Sequence, residues 1–208
     1  VIGVLMDVHI SRSRRLLVGL VTTFAIAASA VVASPAQAAT EDQLDPKTTN
    51  ALQTAITPGS RTFDGAIARA AGASPANIEA FATGWVIAGG TARNAPVDRE
   101  MVQAVAAQSA VIRACAGKNR WDYTGLQLNV YLNSCNTNRL LGAIASGAGA
   151  ATVVGIITAA TGIGGAAAGI IAGGLAIAGG ILTSCAAKGR GVAIHNIAPG
   201  PVVWCNGQ

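Results

Sequence analysis

The sequence has 208 residues, a formal net charge of +5, 51% hydrophobic residues and only 11% charged ones. Soluble domains average about 25% charged residues, so this chain is short of solvating side chains, and its length allows one or two small domains. Past residue 15 the basic residues are scattered, with no Lys/Arg run, which argues against nucleic acid as a partner.

At the N-terminus, Arg12, Arg14 and Arg15 precede the apolar run 16–33, and Ala36 and Ala38 follow in an A-x-A pattern. A basic region, an apolar stretch and a small-residue cleavage motif make residues 1–38 a secretory signal peptide, with an uncleaved anchor as the alternative. Translation is expected to begin at Met6. Cleavage before Ala39 leaves eleven basic and eight acidic residues, a net charge of +3. The expected location is secreted or extracellular, in association with a membrane or the cell envelope.

Residues 39–114 read as an amphipathic helical region. Asp45-Pro46 and Ser74-Pro75 each place a capping side chain before a proline suited to the first helical turn. Pro96 can open a further helix, with Asp98 and Glu100 near its positive end. The spacing predicts helices near 46–56, 63–72, 75–89 and 96–114. Phe81 and Trp85 lie four apart and share a face, as in a small helical core.

In residues 115–136, Leu126, Leu128, Val130 and Leu132 alternate with polar or half-polar residues, the period of a half-buried strand. Residues 185–208 contain "GVAIHNI", a Pro/Gly turn and "VVWC", which read as two short strands. The two segments resemble each other: "CAGKNR" at 115–120 matches "CAAKGR" at 185–190. Cys135-Asn136 and Cys205-Asn206 each follow the first cysteine by 20 residues. An even cysteine count in an exported chain implies disulfides. The repeated spacing favours Cys115–Cys135 and Cys185–Cys205, two Cys-closed β-loops. The rival is a Cys135–Cys185 link across the end of a helical hairpin.

Between Arg139 and Lys188 lie 48 residues without a charge. Region 139–184 divides into 140–160 and 163–182 at Thr161-Gly162. Each half is close to the roughly 20 residues that cross a bilayer, so the region is expected to form a Gly/Ala-rich antiparallel helical hairpin. Gly147, Ala151, Gly155 and Ala159 recur every four residues, as do Gly165, Gly169 and Gly173. Such stripes let helix backbones approach closely. Gly162, Gly164 and Ala167 match a dinucleotide-binding pattern, but no acidic residue follows to hold a ribose.

An uncharged hairpin on the C-terminal side of amphipathic helices is similar to pore-forming colicins and other helical bacteriocins. That resemblance implies release of a buried hairpin into a target bilayer. The cysteine loops depart from the colicin plan and look like sequences in small secreted actinobacterial proteins.

Catalytic chemistry is sparse. His195 is the only histidine after residue 38, no G-x-S-x-G elbow occurs, and Asp64, Glu79 and Asp122 stand isolated in sequence. No enzyme, cofactor or metal is expected. The expected fold is mainly α: a small helical bundle, then the hydrophobic hairpin flanked by two disulfide-closed β-loops. The leading functional expectation is a secreted, bacteriocin-like, membrane-active protein, with a lipid bilayer as partner and self-association as a second interaction. The alternative is a non-catalytic envelope or interaction protein whose hairpin is its core.

Overall fold

The computed structural model describes residues 44–57, 59–109, 114–197 and 202–208, without the side chains of 176–179. The signal peptide 1–38 and Met6 lie outside the described residues. Helix α1 (Pro46–Thr54) starts as its sequence directs: Asp45 Oδ1 accepts from the N–H groups of Lys47 and Thr48 at 2.9 and 3.0 Å. Helix α3 (Pro75–Ile87) is capped by Ser74, whose Oγ accepts from Asn77 N–H at 3.2 Å. Helix α4 (Arg99–Ser109) begins later than Pro96 suggests. Asp98 is its cap, and its Oδ1 accepts from Met101 N–H at 2.9 Å.

Between these helices, β1 (Thr62–Asp64) leads into α2 (Gly65–Ala70) and pairs in parallel with β2 (Thr91–Arg93). The second half of the chain holds β3 (Arg120–Thr124), β4 (Gln127–Asn133), α5 (Ser134–Ala145), α6 (Ala150–Thr161), α7 (Gly165–Ala186), β5 (Gly191–Ile197) and β6 (Val203–Gly207). The four strands form one antiparallel sheet in the order β3-β4-β5-β6.

This sheet corrects the mainly-α expectation: the fold is mixed α/β. The two cysteine loops are not separate appendages, because β4 and β5 pair along seven residues, from Gln127↔Ile197 to Asn133↔Gly191. A whole strand, β3, also goes beyond what the sequence suggests. It alternates Arg120, Asp122 and Thr124 with Trp121 and Tyr123, and it turns into β4 through Gly125 (φ 60°) and Leu126. Leu128, Val130, Leu132, Val192 and Ile194 point into the core, where the helices pack.

The apolar region also differs from the expected hairpin. Residues 140–145 finish α5, the chain then turns through Gly147 (φ 82°), and α6 follows with only 12 residues. At 1.5 Å per residue α6 is about 18 Å long, short of a bilayer's hydrocarbon core. The break at Thr161-Gly162 is present: Gly162 (φ 74°) ends α6 and donates to Thr158 O at 2.8 Å. In α7 the arms Gly165–Leu175 and Gly180–Ala186 stand at 103° to each other. Among the described residues, no single helix is long and apolar enough to cross a membrane, though that bent pair meets the length and composition of a broken span.

Helix α6 lies inside the protein, packed on α3, α5 and α7 and against β4. Residues 150–158 are all buried, and Ile156 and Ile157 are 0% exposed. The small-residue stripes do not make one seam between α6 and α7. Gly155 faces α3, where a Cβ on it would stand 2.4 Å from Phe81 O; a Cβ on Gly84 would stand 2.0 Å from Thr152 O. Ala151 is buried beside them, and Ala159 borders the core. On α7, Gly165 and Gly169 face Thr49 of α1, Gly165 N–H donates to Gln53 Oε1 at 2.6 Å, and Gly173 is buried. Gly147 lies in the turn before α6 and belongs to no helix seam.

Candidate binding surface

The strand register fixes what the outer face of the large sheet presents. Each crossing of the sheet takes one residue from each strand, so side chains fall into rows. One row is Arg120, Tyr131, Ala193 and Asn206; the next is Asp122, Asn129, His195 and Trp204. Thr124, Gln127 and Ile197 begin a third.

The second row is a hydrogen-bonded chain. Asn129 Nδ2 donates to Asp122 Oδ1 at 2.8 Å and to Thr124 Oγ1 at 3.0 Å. Those two acceptors fix the amide, leaving its Oδ1 turned toward His195 Nδ1 at 2.7 Å. Gln127 Nε2 also lies 3.1 Å from His195 Nδ1. Gln127 Nε2 donates to the same Asn129 oxygen, and Asp122 also pairs with Arg120. His195 Nε2 faces Asn206 Oδ1. Asn129 is 2% exposed, so the row rests on a buried amide whose polar atoms are matched.

Aromatic rings stand on this scaffold. Trp204 stacks on His195 at 5.4 Å between centroids, and the Arg120 guanidinium lies 3.8 Å above the Tyr131 ring. On the other face of the edge strand β3, Trp121 and Tyr123 meet edge to face at 5.9 Å. Phe63, Phe81 and Trp85 are buried under the helices. By contrast Trp121, Tyr123 and Trp204 are 43%, 58% and 37% exposed, so the exposed aromatic surface among the described residues belongs to the sheet.

The four cysteines pair as Cys115–Cys135 and Cys185–Cys205, with Cα separations of 5.1 and 5.9 Å. The first ties the approach to β3 to the first turn of α5. The second ties the last turn of α7 to the middle of β6. Each fastens a hairpin to a helix and so holds the sheet against the helical layer. Both disulfides fit an oxidising compartment.

From sequence, His195 is an ordinary strand residue and Asp122 is isolated. The structure joins them through Asn129, and adds Asn129, Gln127, Trp204 and Asn206 to the surface, none of which the sequence marks as part of a shared site. Only the register, which is not local, could have found them. Asp64 lies elsewhere: it caps α2 and accepts from Asn94 Nδ2 at 3.0 and 3.2 Å. The Asn94 amide, then the Ala66 N–H, hold its carboxyl below the usual value. Glu79 is on α3 and exposed. Among the described residues no group of three His, Cys, Asp or Glu side chains is placed to hold a metal. Comparison with protein-family models, curated proteins and solved structures finds no match for this chain.

Proposed function

We propose that the chain is an exported, non-catalytic binding protein of the cell envelope, whose apolar helices are its core and whose four-stranded sheet meets the partner. The burial of α6 carries this reading. A helix apolar on every side needs either lipid or protein around it, and α6 already has protein on all sides. The exposed rings, Trp121 and Tyr123 on edge strand β3 and Trp204 on the other face of the sheet at edge strand β6, supply contact area at low entropic cost at the two edges of the sheet, as aromatic residues do at recognition surfaces. The hydrogen-bonded row beneath Trp204 holds that ring in place before a partner arrives. The side chains that touch His195, those of Gln127, Asn129, Asn206 and Trp204, carry no hydroxyl or thiol, which favours binding over bond-making.

Two measurements test this. Retention of the purified, disulfide-intact protein on isolated cell envelopes should fall in a Trp121→Ala/Trp204→Ala double variant. Anionic liposomes loaded with dye should not leak when the protein is added. Leakage comparable to that of a pore-former, with retention indifferent to the two tryptophans, would favour the bacteriocin-like reading instead.

A further inference from the structure

The matching hexapeptides "CAGKNR" and "CAAKGR" come together at one end of the sheet. Gly117 (φ 83°) sits so close to the second copy that a Cβ on it would stand 2.1 Å from Arg190 O. Gln208 ties the first copy to the ends of β4 and β5: its Oε1 accepts from Lys118 N–H at 3.0 Å, and its Nε2 donates to Lys118 O, Leu132 O and Val192 O at 3.0, 2.7 and 3.2 Å. The Lys188 side chain lies along Gly207, with its Cδ 3.1 Å from where a Cβ would be. Lys118 and Arg120 from one copy thus share a rim with Lys188 and Arg190 from the other.

All four side chains are exposed. Asp122 is the only acidic side chain after Glu100, and it pairs with Arg120. Among the described residues Arg120–Asp122 is the one ion pair, and Lys118, Lys188 and Arg190 have no carboxylate within salt-bridge distance. The helical region is different: residues 40–114 carry six basic and seven acidic side chains. Positive charge is thus concentrated where the repeats meet. Like charges gathered this way repel one another, and a bound polyanion relieves that repulsion.

We infer that this rim binds a linear phosphate-bearing polymer. Guanidinium and ammonium groups are the ordinary ligands of phosphate oxygens. Three unpaired cations along an open rim, with Arg120 held by Asp122 beside them, match successive charges on a chain better than one small anion. The inference rests on the binding reading above but uses residues other than the aromatic ones.

The probe is fluorescently labelled inorganic polyphosphate, titrated with the full disulfide-bonded protein across a salt series. Log affinity should fall with log salt, and the K118Q/K188Q/R190Q variant should flatten that slope by about three and bind about tenfold more weakly at low salt. K118R/K188R/R190K keeps the charge and should bind as the parent does. K47Q/R69Q/R99Q, equally reduced in charge but in the helical region, should also bind as the parent does. Equal binding by parent and rim variant overturns the inference, as does an equal loss in the helical variant. Rim-dependent binding to phosphatidylglycerol vesicles without binding to polyphosphate overturns it too, in favour of a lipid surface. If the inference fails while liposomes stay sealed and the tryptophan variant still loses envelope retention, the binding reading stands without this polymer.

Discussion

Gly84 of α3 and Gly155 of α6 meet backbone to backbone, each lying where the other helix leaves no room for a side chain. A Cβ at Gly84 would fall 2.0 Å from Thr152 O, and one at Gly155 would fall 2.4 Å from Phe81 O and 3.0 Å from Trp85 N. The glycines that look like membrane-helix packing residues thus serve a contact inside the protein. Gly155→Ala should destabilise the fold by about 2 kcal/mol or more, because the added methyl must push the helices away from each other. Gly169→Ala should be neutral or stabilising by up to about 1 kcal/mol, since its methyl would sit an ordinary 3.6 Å from Thr49 Cγ2 and alanine favours helix. Chemical denaturation of both variants checks the contrast. Equal losses would mean that α6 does not touch α3 in this way.

Much of this is legible in the sequence, and the failures have physical causes. Asp45-Pro46 and Ser74-Pro75 mark helix starts because capping is local chemistry, and Gly162 marks a break because αL backbone favours glycine. The partner of α6 is not legible. An all-apolar helix has no polar face to show which side is wet, and the glycine that receives Gly155 lies on α3, far earlier in the chain. The same holds for the sheet. Asp122, Asn129 and His195 become neighbours only through the β3-β4-β5 register, and the β4–β5 pairing spans three intervening helices. Strands of three residues such as β1 and β2 carry no readable period at all.

Each disulfide closes a 20-residue separation and fastens a hairpin to a helix. Replacing Cys185 and Cys205 together by serine should lower stability by about 3 kcal/mol, the loop-closure value for that length. Peptide mapping without reduction should recover the 115–135 and 185–205 links. A 135–185 linked peptide would contradict the arrangement.

Asn129 connects Asp122 to His195, on which the exposed Trp204 ring stacks. Asn129→Leu leaves the Asp122 and His195 hydrogen bonds unmade and should cost about 1–3 kcal/mol. His195→Ala combined with it should lose less than the sum of the two single variants, because both remove one bond. Chemical denaturation of the two single variants and the double variant checks this, and full additivity would mean that Asn129 and His195 do not interact.

Asp64 titrates below its ordinary value, held there by the Asn94 amide and the Ala66 N–H. A carboxyl whose folded pKa lies below its unfolded one stabilises above the unfolded value and loses that contribution as pH falls through the folded one. The corner formed by α2 and β2 should therefore loosen at acidic pH, below the ordinary carboxyl value of 3.8. Asp64→Asn should flatten the acid limb of a stability–pH series over that range. An unchanged acid limb would show that this carboxyl does not tie the corner together.

The central claim is that α6 is core and stays core. Amide hydrogen exchange, followed on the disulfide-intact protein with and without phosphatidylglycerol vesicles, tests it most directly. Residues 150–158 should exchange among the slowest in the chain, through global unfolding, and vesicles should leave their rates unchanged. Vesicle-dependent opening of this segment, accompanied by quenching of a fluorophore on Ile170→Cys by lipid-soluble quenchers, would contradict the claim and return the helix to the membrane.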